Sequence, residues 1–407
     1  MSISKRSKII IIICLLSLAL SLTGCDYDNN EVKFNDVQGA TYTRTIATGM
    51  GFSMFIDNDY NLWAWGYNRQ GQLGDGITTG QNSLVHVMDN VLSISILGFH
   101  TAAIRTDGSL WTWGSNLYGQ LGDGTTDNRH SPIHIMDDVV FACVGFFYTM
   151  AITRDGNLWA WGCNMNGQLG DGTTTDRHSP VHIMEDVVAV SGDGYMTMAI
   201  KADGSLWAWG ITDFTQLGED SPEKQLYPVR VMDDVIYVSV GEYHVAIIKS
   251  DNSLWAWGRN EYGQLGDGTI ENRFYPVHIM DNVARVITGA GNTLAIQTDG
   301  GLWIWGRHST GQMFEQSLTP VYEPIHIMRN TIAVSNGLGA TLALQSDGSL
   351  WGWGWFQYPL LRRDLPEDFC IDSLPPDANM GDYAYLYDNI PIPTKILDGV
   401  MLPTQPR

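Results

Sequence analysis

Five histidines, His86, His134, His182, His278 and His326, stand at intervals of 48 or 96 residues. Imidazole is the commonest metal ligand, so zinc binding is the first chemistry this series suggests. Zinc holds its ligands at about 2.0 Å, however, and a regular spacing puts each histidine on a separate copy of one unit. Arg230 and Lys395 fill the same place in two further copies, which removes any need for ligand chemistry there. No metal site and no cofactor are expected, and the Asp-Gly loops lack EF-hand ligand spacing. Carboxylates are abundant, but none forms a recognisable acid/base pair and no nucleophile motif appears, so no catalytic residue is predicted. Cys143, Cys163 and Cys370 are an odd set without metal spacing, which argues against a disulfide scaffold. Cys163 reads as a small core-filling residue.

A different set of residues is suited to binding. Eleven residues before each repeated leucine the chain reads Gly51, Phe99, Phe147, Tyr195, Tyr243, Gly291 and Gly339. The next position adds Phe52, His100, Tyr148, Met196 and His244. Aromatic side chains at an exposed rim make binding hot spots. Phe99, Phe147, Tyr195 and Tyr243 are therefore the predicted anchors, with Phe52, Tyr148 and Trp355 beside them. Tyr118, Phe214, Tyr262 and Tyr358 recur in a neighbouring loop and read as scaffold.

The elements that must position these residues follow from the period. Leu-Trp pairs begin at Leu62, Leu110, Leu158, Leu206, Leu254, Leu302 and Leu350, each 48 residues after the last. A fixed period of this length signals a solenoid or a propeller. Each unit holds four short β-prone runs, A to D, and no helix-period stretch. Asp-Gly between B and C predicts a tight type I′ hairpin. Proline at the start of D (Pro132, Pro180, Pro228, Pro276 and Pro324) suits an outer edge, where a missing N–H does no harm. The expectation is an all-β, seven-bladed propeller of four-stranded antiparallel blades. In "LWTWG", Trp111 and Trp113 share one face of a strand and should fill the gap between blades, with the small Thr112 facing the other neighbour. Alternating strand directions put the A–B and C–D loops on one face of the disc, and the Asp-Gly turns and D–A links on the other. The N-terminal strand is expected to close the blade that the C-terminal segment finishes, which leaves no free edge.

The unit "GFHTAAIRTDGSLWTWGSNLYGQLGDGT", Gly98 to Thr125, resembles the regulator-of-chromosome-condensation repeat. The resemblance covers about residues 41 to 400 and implies a seven-bladed propeller. It does not extend to the nucleotide-exchange or DNA-binding residues of the nuclear member, because the chain is acidic (formal charge −21), which disfavours phosphate backbones. A secreted propeller of the same repeat family that inhibits β-lactamases through aromatic residues on one face is a closer parallel, in position type only.

The ends carry further signals. Lys5, Arg6 and Lys8 precede an apolar run, Ile9 to Leu22, too short to span a bilayer comfortably. The run ends in "LTGC", which resembles the lipobox of bacterial lipoproteins and makes Cys25 the lipid site. Diacylation would hold the chain stably on a membrane, in the extracytoplasmic cell envelope. Residues 1–25 are thus read as signal, 26–40 as tether, 41–400 as propeller and 401–407 as tail. A long aromatic- and proline-rich insertion within 355–391 of the last blade reads as a flap over the binding face. The expected function is non-enzymatic binding of a protein or cell-surface partner by a monomeric, lipid-anchored propeller, without nucleic acid. Inhibition of a secreted enzyme such as a β-lactamase is one alternative. A cell-wall hydrolase or lyase, using carboxylates such as Asp364, Glu367 or Asp368, is the other.

Overall fold

The computed structural model describes residues 44–211, 223–307, 320–337, 339–356 and 388–401, all within the compact unit Phe34–Arg407. They form 28 strands in seven four-stranded antiparallel sheets, each built from one contiguous stretch of chain. In blade 2 the strands are A (Val91–Leu97), B (His100–Arg105), C (Leu110–Gly114) and D (Arg129–Met136). Strands B and C are almost wholly buried, while D alternates half-buried and exposed residues and forms the outer edge.

The recurring "DGSLWxWG" is explained by its hydrogen bonds. Asp107 Oδ1 accepts from Ser109 N at 2.9 Å and Ser109 Oγ at 2.6 Å, and Trp111 Nε1 donates to Ser109 Oγ at 2.9 Å. The turn residue, the serine and the first tryptophan are thereby fixed together. The turn is a three-residue loop, not the predicted type I′. Gly108 N donates to Arg105 O and Arg105 N to Ser109 O, and only the glycine position has positive φ (84° at Gly108). A type I turn followed by one left-handed residue produces this hairpin, so Asp107 needs no unusual backbone. Tyr60 and Asn252 take the left-handed position at φ 64° where glycine is absent.

The two tryptophans do share a face, and they differ in depth. Trp113 is fully buried and Trp111 half-buried, and both pack on the core of blade 1 with Phe52, Met54, Ile56 and Leu62. Trp113 Nε1 donates across the gap to Gln72 O at 2.9 Å, and Trp209 to Gln168 O and Trp305 to Gln264 O do the same. Each indole of about 150–250 Å² contributes a gross 4–6 kcal/mol or so at ~25 cal/mol per Å², most of it offset by chain entropy. Gly122 and Gly170 exist for this contact. A Cβ on either would stand 2.6–2.7 Å from the next blade's indole nitrogen.

Closure differs from expectation. Blade 1 and blade 7 are each complete in themselves, so no blade is shared between the chain ends. Blade 7 takes its outer strand from Asp388–Leu397, and the first and last blades meet by packing. Ile46, Phe55 and Trp65 lie against Leu342, Leu344 and Val400, and Met401 N donates to Ile56 O. The lock is thus an interface like the other six plus a short backbone bridge, Asp57 with Val400. Strand C of blade 7 runs on to Phe356 and D begins at Asp388, which narrows the insertion to 357–387, outside the described residues.

Candidate functional face

The described C–D loops, those of blades 1, 2, 3 and 5, are braced by internal hydrogen bonds. Asn116 Nδ2 donates to Asp123 Oδ1, Thr125 O and Asp127 O, while its Oδ1 accepts from Leu121 N. Arg129 closes the loop on Asp123 at 2.6 Å, and Arg177–Asp171 and Arg273–Asp267 repeat the pair at 2.7 Å. Burial opposes ionisation of these three aspartates, but hydrogen bonds from threonine and arginine outweigh it and hold the carboxyls below the usual range.

The C–D loops of blades 1 and 2 lean over the A–B loop of the following blade. Tyr67 of blade 1 meets Phe99 at 6.0 Å, and Tyr118 of blade 2 meets Phe147 at 5.1 Å. Phe99, Phe147, Tyr195 and Tyr243 all occupy A–B loops on this face, and none is fully buried. Tyr195 is the most open, 44% exposed. Tyr243 lies under the Arg259 guanidinium, 5.1 Å from its ring centroid. A hydrogen bond with Glu242 and burial push its phenol up to about 12, so it stays protonated. Asp193, near Tyr195, is raised to about 7 by burial and by the Glu242 charge.

Two predicted contact residues are corrected. Phe52 and Tyr148 are 2% and 0% exposed and cannot touch a partner. Their position is the first of strand B, where the side chain turns into the gap between blades. Tyr148 Oη bonds Met196 O and Thr197 Oγ1, both at 3.0 Å. His100 and His244 do the same with Thr149 Oγ1 (3.0 Å) and Thr293 Oγ1 (2.7 Å), and burial lowers both imidazoles to about 3. The position is an inter-blade clamp. Two of the glycines opposite the arc have a structural reason: Gly51 has φ 78°, and at Gly291 a Cβ would press on Arg307 at 3.2 Å. Tyr118 packs on the Phe147 ring, and the Tyr262 ring lies under the Arg259 and Arg307 guanidiniums. Cys25, Phe214, Tyr358, Cys370 and the insertion's carboxylates lie outside the described residues, as does the side chain of Trp355.

The structure adds Leu117 and Met165, exposed 68% and 52% at the tips of two C–D loops. The sequence carries the signal. Seven residues after the repeated leucine the chain reads Arg69, Leu117, Met165, Asp213, Glu261 and Ser309, so only two blades are apolar at a variable tip. Leu117 and Met165 adjoin Phe99, Phe147 and Tyr195 in blade order, whereas blade 5 presents Arg259, Glu261 and Glu242. The D-strand histidines have a local role. His86, His134 and His278 bond Asp89, Asp137 and Asp281 at 2.8 Å, and each stands edge-on to its own blade's tryptophan at 5.3–5.5 Å. Among the described residues no group of three or more His, Cys, Asp or Glu could hold a metal ion.

The profile for the RCC1-like domain matches residues 143–362, more than half of the chain. This protein belongs to the RCC1-like domain family. Profiles of the regulator of chromosome condensation (RCC1) repeat also match residues 107–152 and 93–120. No curated protein sequence matches. Among solved structures, yeast RCC1 (Prp20) bound to Kap60 superposes with TM-score 0.71 at 19% identity, covering 92% of this chain and 89% of that one. Prp20p of Saccharomyces cerevisiae, studied for binding to Gsp1p and histones, gives TM-score 0.70 at 19% identity and 89% of each chain. Human WBSCR16 gives 0.66 at 22% identity, covering 75% and 88%. At these identities the likeness establishes the fold alone.

Proposed function

We propose that this chain is a non-enzymatic, lipid-anchored, extracytoplasmic propeller that captures a protein partner on its A–B and C–D face. One observation carries the reading: Leu117, Met165 and Tyr195 are exposed on consecutive blades of one face, the first two on C–D loops braced by the Asn116-type and Arg–Asp bonds. Exposed apolar and aromatic groups on a preorganised platform supply binding energy at low ordering cost. The buried neighbours, Phe52 and Tyr148, fix the backbone beneath. Yeast RCC1 in complex with Kap60 is a propeller of this fold with a protein partner. The anchor rests on the basic and apolar start followed by "LTGC", with Cys25 as acceptor.

Two measurements test this. Cys25→Ser should move the protein from the membrane fraction to the soluble one. Immobilised wild type should retain a discrete envelope protein that the triple variant Leu117→Ser, Met165→Ser, Tyr195→Ala loses, while Tyr275→Ser on the outer edge keeps it. Equal retention by the triple variant, or equal loss by both, overturns the assignment of the face. Titration of secreted enzymes such as β-lactamases separates inhibition from simple capture.

A further inference from the structure

Strand A of blade 4, Val187–Asp193, ends in a carboxylate that lines the A–B end of a central channel with a cavity of about 180 Å³. Asp193 faces Met196 across a tight hairpin whose two turn residues are Gly194 and Tyr195. Its Oδ1 accepts from Gly194 N at 2.6 Å. Among the described residues its Oδ2 accepts no hydrogen bond and no cation pairs with it. Burial in the channel wall and the Glu242 charge raise the carboxyl to about 7. The fold does not ask for this group. The equivalent residues of the other blades are Gly49, Leu97, Gly145, Gly241, Gly289 and Gly337. A carboxylate without a counter-charge opposes folding whenever it ionises, so its presence where glycine suffices points to a ligand.

Glu242 is its charged neighbour, from the A–B loop of blade 5. That position reads Met50, Gly98, Phe146, Gly194, Ala290 and Leu338 elsewhere, so neither carboxylate belongs to the repeat. Glu242 accepts a hydrogen bond from the Tyr243 hydroxyl, and the Tyr195 phenol interacts electrostatically with that of Tyr243. Two adjacent A–B loops thus bring two carboxylates and two phenols to one mouth of the channel. Arg259, over the Tyr243 ring at 5.1 Å, is paired with Glu261, so the group keeps an excess of negative charge. On the blade 3 side the Tyr148 hydroxyl is committed to Met196 O and Thr197 Oγ1.

We propose that this mouth receives a lysine side chain of the protein partner, with its ammonium between Asp193 and Glu242 and its stem along Tyr195 and Tyr243; this rests on the capture reading above. An ammonium is a compact charge with three donors, which suits two carboxylates from separate loops, whereas guanidinium presents a planar fork. Tyrosine faces attract a cation, and its methylenes pack on them. A cation placed there relieves the repulsion between Asp193 and Glu242. The cavity is smaller than the ~300–1,000 Å³ typical of drug-sized ligands, which fits one slender side chain.

Ligand-observed saturation-transfer NMR on the full chain tests the site, with Nα-acetyl-lysinamide and its norleucine and arginine counterparts as probes. The lysine probe should bind best, and more tightly at pH 8 than at pH 6, because ionised Asp193 is the form that pairs with it. Asp193→Gly, a residue that five blades already use there, should raise the apparent Kd about tenfold and abolish the pH dependence. Glu242→Gln should raise it about threefold, while Tyr227→Ser on the outer edge leaves it unchanged. Equal binding of the norleucine or arginine probe, or binding unchanged in Asp193→Gly, refutes the proposal. Partner capture is scored separately. Asp193→Gly should release the envelope protein that wild type retains. Undiminished retention overturns the lysine contact and leaves the capture face standing. A lysine probe bound through Asp193, with no protein retained by wild type, supports the site and overturns capture.

Discussion

The buried histidines allow the most quantitative test of the inter-blade clamp. His100 and His244 donate to or accept from a threonine hydroxyl of the next blade, and burial lowers both from 6.5 to about 3. The folded state keeps each ring neutral across the range in which an unfolded histidine takes up a proton. Their contribution is therefore complete above about pH 6.5 and is lost progressively as pH falls toward 3. At pH 5 the loss is about 2 kcal/mol per histidine, about 4 kcal/mol for the pair, against a typical net stability of 5–15 kcal/mol. Other blades suggest substitutes. Gly145 makes room for the Tyr148 ring, and Gly241 stands in the same relation to His244, so His244→Tyr should fit. Leu97 fills that space beside His100, as Asp193 does beside Met196, so His100→Met is the matched change. Denaturant unfolding of wild type and of the double variant, followed by tryptophan fluorescence from pH 8 to pH 5, should diverge by about 4 kcal/mol. Asp193, raised to about 7, works in the opposite sense, losing stability as pH rises through 7, but both proteins carry it and it cancels in the difference. Parallel pH curves, or folded-state NMR titration of either imidazole near 6.5, would refute the reasoning.

Three further outcomes follow from the same contacts. Gly170→Ala, whose Cβ would stand 2.7 Å from Trp209 Nε1 at a backbone φ of +79°, should destabilise the fold by about 3 kcal/mol in denaturant titration. Asp171→Asn removes the charge and turns the oxygen that accepts from Arg177 into an amide donor, and should cost about 2 kcal/mol at pH 7. The lowered carboxyl contributes stability above the unfolded value near 3.9 and loses it as pH falls through the lower folded value, so the variant's deficit should shrink below pH 4. Cys143 and Cys163 are buried, and burial pushes the Cys163 thiol up, so mass spectrometry should find alkylation at both only after unfolding.

The ring was legible because its cause is local and repeated. The 48-residue period and the alternation in "LWAWG" each report a short-range constraint, and the strands follow them, except that D starts before its proline instead of at it, at Arg129 and not Pro132 in blade 2. The turn type was misread because Asp-Gly serves both a two-residue and a three-residue hairpin, and only the bond from Gly108 N to Arg105 O tells them apart. The shared closing blade failed for a similar reason. Counting strands cannot distinguish an exchanged strand from an interface that closes by packing, as Ile46 and Trp65 do against Leu342 and Val400.

The candidate face shows the same division. The sequence alone determined which positions repeat and which vary, and therefore that Phe99, Phe147, Tyr195 and Tyr243 belong to one rim. It could not say which way a side chain turns at the start of strand B, since that depends on the neighbouring blade, 48 residues away. Tertiary structure decided that Phe52, Tyr148, His100 and His244 point into the seams, that Leu117 and Met165 stand out in solvent, and that Asp193 meets the charge of Glu242 at the mouth of a channel. The physical reason is that period and pattern encode contacts within a blade, whereas burial at the rim and charge in the channel arise only when seven blades meet.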